Sequence, residues 1–406
     1  MSADIDNIFS RAANGKSLVK NRQALTIDYV PEKLPFRDEE IKTLAQVLST
    51  ILKGARPSNL LLFGKPGTGK TAAARNVVEK LKQKARELDV EILVPIVNAK
   101  LANSAYKVLF EIAEELGINK EQGKQVHFTG LSMGEATDRV LQFIQRKKLN
   151  LVLVIDEIDS LVDKSGDDIL YNFTRANQRM QGWGFITLIG ISNSLTFKDK
   201  LDPRVRSSLS EEEIVFNPYT VHQLRQILQE RAKLAFNEGA ISDAAVNLCA
   251  AIAGREHGDA RKAIDLLRVA AELAEREDAA KVDEKHVRAG EDRIEKDAPF
   301  IALKNAPAHH KLVILAVMRS KNGTTGEVYD IYLSLSKQVE QKPLTQRRMT
   351  QIISELDLLG LVSTDIVNQG RYGRSQKIKV TIPPAIVNEA LKDDSVFHTI
   401  IGESPV

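Results

Sequence analysis

The sequence predicts an α/β protein whose parallel sheet is covered by helices on both faces, extended by an all-α domain and a C-terminal winged helix. Three observations predict it. Apolar strand-like runs alternate with helical patterns as far as Phe216. From Pro218 four helical patterns follow one another with no strand between them. After Pro307 three helical patterns lead into two strand-like runs around a polar, glycine-rich tip, the layout of a winged helix.

The elements follow in order. Residues 1–20 carry no pattern and are expected to be loosely ordered, and Arg22–Arg37 holds two prolines and no period. A helix is expected from Asp38 to about Lys53, with Leu44, Val47, Leu48 and Ile51 on one face. Asn59–Phe63 and Glu91–Asn98 read as strands, with a helix over Thr71–Leu88 between them. Tyr106–Leu116 and Ser132–Lys147 read as helices, the second opened by a capping box of Ser132 and Glu135. Leu151–Ile155 and Phe185–Ile191 read as strands buried on both faces. The all-α domain holds helices at Thr220–Phe236, Ser242–Ala253, Ala260–Arg276 and Asp283–Lys296. Helices at Ala308–Arg319, Gly326–Gln338 and Thr345–Leu359 then precede strands at Leu361–Thr364 and Lys377–Ile382. The expected division is a flexible terminus at 1–20, the α/β base at 21–217, the all-α domain at 218–298 and the winged helix at 299–406.

Composition narrows the class. A chain of 406 residues exceeds one compact core. With 43% hydrophobic and 27% charged residues it has the make-up of a soluble globular protein. No apolar run approaches the ~18 residues of a membrane span, and the acidic start Met1–Asp6 opposes a secretory signal. The single cysteine, Cys249, rules out a disulfide framework and reads as a buried structural thiol. A cytoplasmic protein is expected. The net charge of +3 is nearly neutral, so any nucleic-acid binding must come from local patches.

The most informative segment is Gly64-Lys65-Pro66-Gly67-Thr68-Gly69-Lys70-Thr71, which fits the loop that wraps a nucleotide's phosphates. Its glycines let backbone N–H groups turn inward, Lys70 reaches the β/γ-phosphates and the Thr71 hydroxyl holds Mg²⁺. The flanking strand and helix supply the context the motif needs, since the helix N-terminus presents a positive dipole end. Downstream, an apolar strand ends in Asp156-Glu157. Ligands of α/β sheets sit at the strands' C-terminal ends. Asp156 would help Thr71 hold Mg²⁺, and Glu157 would polarise the attacking water. Asn193 ends the next strand-like run; an uncharged amide there either hydrogen-bonds the γ-phosphate or lytic water, or caps a turn. Arg204 and Arg206 either act in trans on a neighbour's phosphate or form surface ion pairs. Arg261, in Gly258-Asp259-Ala260-Arg261, either reaches back to the phosphates or pairs with Asp259 or Asp265.

Taken together, Tyr29-Val30-Pro31-Glu32…Leu34-Pro35-Phe36-Arg37, the phosphate loop, Asp156–Asp159, Ile191-Ser192-Asn193, Leu201–Val205, Phe216–Thr220 and Gly258–Arg261 resemble the archaeal replication initiators. These are AAA+ relatives of the eukaryotic origin-recognition subunits and of the cell-division-control helicase-loading factor. The resemblance spans about residues 20–380. It implies an AAA+ ATPase base, a helical lid and a winged helix that binds double-stranded origin DNA, with ATP/ADP and Mg²⁺ as cofactors. It implies that Val30, Pro31 and Arg37 lie near the adenine, and that Tyr219 and Arg231 line the nucleotide site beside the phosphate loop and Ala72. It marks Asn193 as the sensor on the sheet and Arg261 as the sensor on the lid, and it assigns Ser132–Lys147 to a helical insertion that touches DNA in that family. The replicative helicase and paralogous initiators are the implied partners, in a nucleoid-associated cytoplasmic setting. One departure matters: many AAA+ relatives carry their trans-acting arginine where this chain has Ser208. A slow switch that retains ADP therefore fits better than a processive motor.

In the winged helix, Arg347 and Arg348 fall in the first turn of the third helix, beside Gln346 and Thr350. That turn is the part of a helix-turn-helix that enters the major groove. The hairpin tip holds Arg371, Tyr372, Arg374 and Lys377 with no acid. From Glu340 to Val380 seven Lys/Arg face four Asp/Glu, which is the local basic patch that the overall charge hides. The main expectation is an ATP-dependent, DNA-binding origin-recognition switch that helps recruit the helicase. A branch-migration motor and an ATP-gated transcription regulator remain the alternatives.

Overall fold

The computed structural model describes residues 17–397 except 103, 119–129, 181–183, 210, 256–257, 369–373, 393 and 395. The chain forms two compact units, divided between Val287 and Arg288.

The first unit is built on a parallel sheet of β1 (Leu60–Phe63), β2 (Ile92–Leu93), β3 (Ile96–Asn98), β4 (Asn150–Asp156), β5 (Phe185–Ser192) and β6 (Glu212–Val215). Its order is β2-β4-β5-β1-β6, with β3 also paired to β4. Side chains alternate between two cores, as a two-residue period dictates. Leu151, Leu153 and Ile155 of β4 join Leu61 and Phe63 on one face, against Leu109, Ile112, Val140 and Phe173. Val152 and Val154 join Leu60 and Leu62 on the other, against Leu44, Leu48, Val77 and Val78. The helices that line these two cores are α1 (Asp38–Leu48), α2 (Lys70–Glu87), α3 (Ala105–Glu115), α4 (Met133–Lys147), α5 (Ile158–Ser165), α6 (Asp168–Arg179) and α7 (Pro203–Leu209). The Ser132/Glu135 capping box is present at the start of α4.

Several expectations need correction. The strand expected over Glu91–Asn98 is two short strands, because Pro95 between them has no N–H to donate; its carbonyl still accepts from Val154 N at 2.9 Å. The helix expected to Lys53 ends at Leu48 and tightens into a 3₁₀ turn over Ser49–Lys53. Strand β6 and helices α5, α6 and α7 were not foreseen: β6 reads as acidic surface, with Glu212 and Glu213 exposed and only Ile214 buried. The loose N-terminus lies outside the described residues up to 16, but Ser17–Lys20 are tied to the lid, with Lys20 N donating to Ala235 O at 2.8 Å.

The rest of the first unit is helical: α8 (Val221–Ala235), α9 (Asp243–Arg255), α10 (Ala260–Arg276) and the start of α11 (Glu284–Lys304). Cys249 is buried in α9. Helix α11 runs past its expected end and through Pro299, a residue that costs a helix interior about 3 kcal/mol and so reads as a stop.

The second unit packs α12 (Ala308–Arg319), α13 (Thr325–Gln338) and α14 (Gln346–Leu358) against an antiparallel hairpin of β7 (Val362–Asn368) and β8 (Arg374–Val380). Leu312, Tyr332, Ile353 and Ile378 lie in one core. An unforeseen helix, α15 (Pro384–Leu391), closes it with Val387 and Leu391. Among the described residues no helix is long and apolar enough to cross a membrane.

Candidate nucleotide site and DNA-facing helix

The sheet register brings three sequence-distant motifs level. Phe63 pairs with Ser192, Ile191 with Asp156, and Asp156 with Asn98. Gly64, Asn193 and Glu157, the residues just beyond those pairs, therefore leave the sheet at the same edge, where α/β proteins bind ligands.

The loop Gly64–Thr71 turns there into α2. The Lys70 ammonium donates to Gly64 O (2.6 Å), Lys65 O (2.9 Å) and Asn193 Oδ1 (3.0 Å). Burial lowers the Lys70 pKa from 10.5 to about 8; Arg261 adds to the fall, and Asp156 opposes it. The Thr68 hydroxyl ties the loop to Lys65 O at 2.8 Å. The exposed Lys65 and Pro66 form its outer turn, and Ala72 stands half-buried in the first turn of α2. The Thr71 hydroxyl donates to Asp156 Oδ2 at 2.9 Å, so two hard oxygens stand side by side. Among the described residues no cluster of three or more His, Cys, Asp or Glu could hold a metal alone. A magnesium ion held by Thr71 and Asp156 would complete its shell from phosphate and water, as it commonly does. Glu157 sits in the left-handed region at φ 53°, a strained conformation typical of functional positions. Its carboxylate lies 3.6 Å from Lys100 Nζ, a neighbour with no signal in the sequence.

The lid meets the loop through the cap of α10. The Asp259 carboxylate accepts from the backbone N–H groups of Arg261 (2.8 Å) and Lys262 (3.3 Å). It also packs on Gly67, where a Cβ would come within 1.7 Å of Oδ1. Ala260 N donates to Gly67 O at 3.2 Å. Arg261 is exposed, and its charge is felt at Lys70. Asp265 is committed to Arg268 at 2.6 Å. The sequence showed the Gly-Asp-Ala-Arg turn but not that Asp259 seats on the phosphate loop.

Arg37 is buried at the same place. Its Nε donates to Thr68 O (2.9 Å) and to the Tyr219 hydroxyl (3.1 Å), and its guanidinium lies 4.0 Å from the Tyr219 ring centroid. Tyr219 lies against the loop too, since a Cβ on Gly69 would approach its hydroxyl to 2.9 Å. Burial raises the Tyr219 pKa, so the phenol stays neutral. Arg231 donates to Ala24 O (3.2 Å) and Tyr29 O (2.9 Å) and stacks 4.6 Å from the Tyr29 ring centroid. Val30 and Pro31 are half-buried just beyond that grip. Arg204 is exposed and paired with Asp202 at 3.0 Å, and Arg206 lies 3.6 Å from Asp199.

At Gly64, Gly67 and Gly69 a Cβ would strike Phe216 O (2.4 Å), Asp259 Oδ1 (1.7 Å) and the Tyr219 hydroxyl (2.9 Å), so the loop needs glycine there, and lysine, hydroxyl, carboxylate and amide groups converge on it. This donor set fits a magnesium nucleotide.

In the second unit, α14 opens with Thr345, whose hydroxyl accepts from Arg348 N at 3.4 Å. Gln346, Arg347 and Arg348 are exposed in its first turn. Thr350 instead turns its hydroxyl to Gln346 O at 3.0 Å. Arg348 is shared with Gln351 (2.9 Å) and Glu355 (3.4 Å), while Arg347 has no hydrogen-bond or ion-pair partner among the described residues. Lys377 is exposed on β8, which Ile378 N anchors to Gly323 O at 2.8 Å. Arg374 begins β8, and Arg371 and Tyr372 lie outside the described residues. Helix α4, assigned to the insertion, buries Val140 and Ile144 in the base.

Sheet, phosphate loop, lid and winged helix define an AAA+ ATPase carrying a DNA-binding-type C-terminal domain. Comparison with known proteins agrees: residues 54–193 match the AAA domain, 225–292 the Cdc6 AAA+ ATPase-type lid domain, and 301–390 the CDC6 C-terminal winged helix domain. The chain is 48% identical over 400 residues to an ORC1-type DNA replication protein of Cenarchaeum symbiosum, covering 98% of this chain and 97% of the relative. A Thermococcus onnurineus protein of the same description is 44% identical, covering 98% and 96%. The Aeropyrum pernix ORC1 protein, solved in complex with DNA, superposes with a TM-score of 0.88 at 42% identity, covering 95% of this chain and all of that one. The chain belongs to the ORC1-type DNA replication proteins.

Proposed function

We propose that this protein is an ATP-dependent origin-recognition factor that grips double-stranded DNA with its winged helix and helps recruit the replicative helicase, using slow ATP hydrolysis as its switch. Bound Mg·ATP would supply the scissile phosphate and the charge that organises the loop. Lys70 holds the phosphates, Thr71 and Asp156 hold the metal, and Glu157 orients the attacking water and takes its proton. Asn193 and Arg261 report the γ-phosphate from sheet and lid. Arg37, Tyr219, Val30 and Pro31 form the base-side wall, with Arg231 behind them. Gln346, Arg347, Arg348, Thr350, Arg371, Tyr372, Arg374 and Lys377 make the DNA contacts. The working boundaries are a base at 21–217, a lid at 218–298 and a winged helix at 299–406. Paralogous initiators are its partners on the chromosome, in the nucleoid-associated cytoplasm.

The observation that carries this reading is the seating of the lid on the phosphate loop through Asp259 and Gly67. Whatever fills the loop is thereby coupled to the lid. The pairing of Arg204 and Arg206 with acids of their own chain favours slow turnover, since neither is poised to serve a neighbour. Two measurements test it. Single-turnover hydrolysis should leave ADP bound, and footprints on genomic fragments with ATP and with ADP should fall on one origin-containing fragment and differ between the nucleotides. Rapid multi-turnover hydrolysis, or footprints that ignore the nucleotide, would refute it.

A further inference from the structure

The far end of lid helix α10 carries a second set of contacts. Glu275, in its last turn, gathers the first described residues of the chain. Its Oε1 accepts from the Ser17 hydroxyl (2.9 Å), Leu18 N (3.0 Å) and Val19 N (3.4 Å), and its Oε2 pairs with Arg22. Burial works against the charge, but the hydrogen bonds from Arg22 and Ser17 outweigh it and hold the carboxyl below the usual range. Asn21 N donates to Ala235 O at 3.0 Å, and Val19 bridges to Phe236. Arg231 then takes over at Ala24 and Tyr29.

From there the chain crosses to the base. Glu32 O accepts from Asn76 Nδ2 of α2 at 3.0 Å, and Arg37 ends on Thr68 O of the phosphate loop. Helix α10 touches that same loop at its other end, through Asp259 and Ala260. A helix of 17 residues spans about 25 Å at 1.5 Å per residue. The lid is therefore fastened at both ends of one helix, directly at one and through Ser17–Arg37 at the other.

We propose that Ser17–Arg37 is a strap that keeps the lid closed over the nucleotide, with Glu275 as the positioning residue that anchors it. Glu275 lies at the opposite end of α10 from the phosphate loop and acts only through the strap. The proposal rests on the nucleotide reading above and adds a determinant of how long the nucleotide stays.

The test is release of a fluorescent N-methylanthraniloyl ADP from the full chain, chased with excess ATP. Glu275→Ala should speed release about tenfold, the scale of a lost charge-assisted hydrogen-bond cluster, with the association rate unchanged. Glu275→Gln keeps an acceptor for the Ser17 and Leu18 donors and should recover most of the slow release. A Gly-Ser-Gly-Ser insertion after Pro31, between Tyr29 held by the lid and Glu32 held by the base, lengthens the crossing without removing a side chain that fastens either end and should also speed release. Lys70→Ala is the control that abolishes binding. If the parent protein holds no nucleotide, the site reading fails and the strap with it. If it holds nucleotide and the insertion variant releases at the parent rate, the strap alone is overturned.

Discussion

The Asp259 carboxylate occupies the space that a side chain on Gly67 would need, 1.7 Å from a Cβ placed there. Gly67 also has φ 72°, which costs an L residue roughly 1–2 kcal/mol. Gly67→Ala should weaken ATP binding more than tenfold. Asp259→Ala relieves the crowding but uncaps α10, a loss of about 1 kcal/mol. The two substitutions should be non-additive, with the double variant binding ATP better than Gly67→Ala alone. Calorimetric titration of the four proteins measures the coupling, and strict additivity would mean the two residues do not meet.

Lys70 gives a pH signature. Its folded pKa, lowered by burial to about 8, lies below the unfolded value of 10.5. Between those values the unfolded chain binds more protons, so this group's contribution makes the fold more stable as pH rises from about 8 towards 10.5. Lys70→Met should flatten that rise in urea midpoints. ATP affinity should move the other way, weakening above pH 8 as the ammonium is lost, and Lys70→Arg should hold it level.

Glu157→Gln keeps the size of the side chain and removes the base. Nucleotide affinity should stay within about threefold, while the hydrolysis rate falls by ~10² or more, the usual scale for a lost general base. Quenched-flow single turnovers separate the two quantities. A rate near the parent value would move the proton acceptor elsewhere.

Arg347→Ala with Arg371→Ala should weaken duplex binding at every sequence and lower the slope of log K against log salt by about 2, one unit per lost phosphate contact. Arg348→Ala should cost less, because Arg348 already spends its guanidinium on Gln351 and Glu355. Anisotropy titrations across salt concentrations read both.

Asn59 offers a stability test away from the site. It is 1% exposed, donates to Ser208 O at 2.6 Å and accepts from Leu188 N at 2.8 Å. Asn59→Ala strands both partners and should cost about 2–3 kcal/mol in denaturant unfolding.

The strands of the base were legible because burial on both faces leaves continuous apolar runs, as at Leu151–Ile155. The phosphate loop and Asp156-Glu157 were legible because their chemistry demands particular residues at short spacing. Strand β6 was not, since only one of its four side chains is buried. Pro299 hid the continuation of α11, because the penalty for a proline inside a helix is local while the packing that overrides it is not. Asp259 on Gly67 and Glu275 on Ser17 escaped for a different reason. Each joins residues far apart in the chain, and no periodicity announces such a meeting.

The outer strands of the sheet also bear on how the protein behaves when crowded. One side ends in the short strands β2 and β3, interrupted by Pro95, the other in β6, where Glu212 and Glu213 are exposed. Neither offers another chain a long, neutral backbone to add to. The apolar ribbons of β4 and β5, which would seed aggregates if bared, are enclosed between these blunted margins. Heat or truncation that loosened either margin would therefore show first as insolubility rather than as lost catalysis.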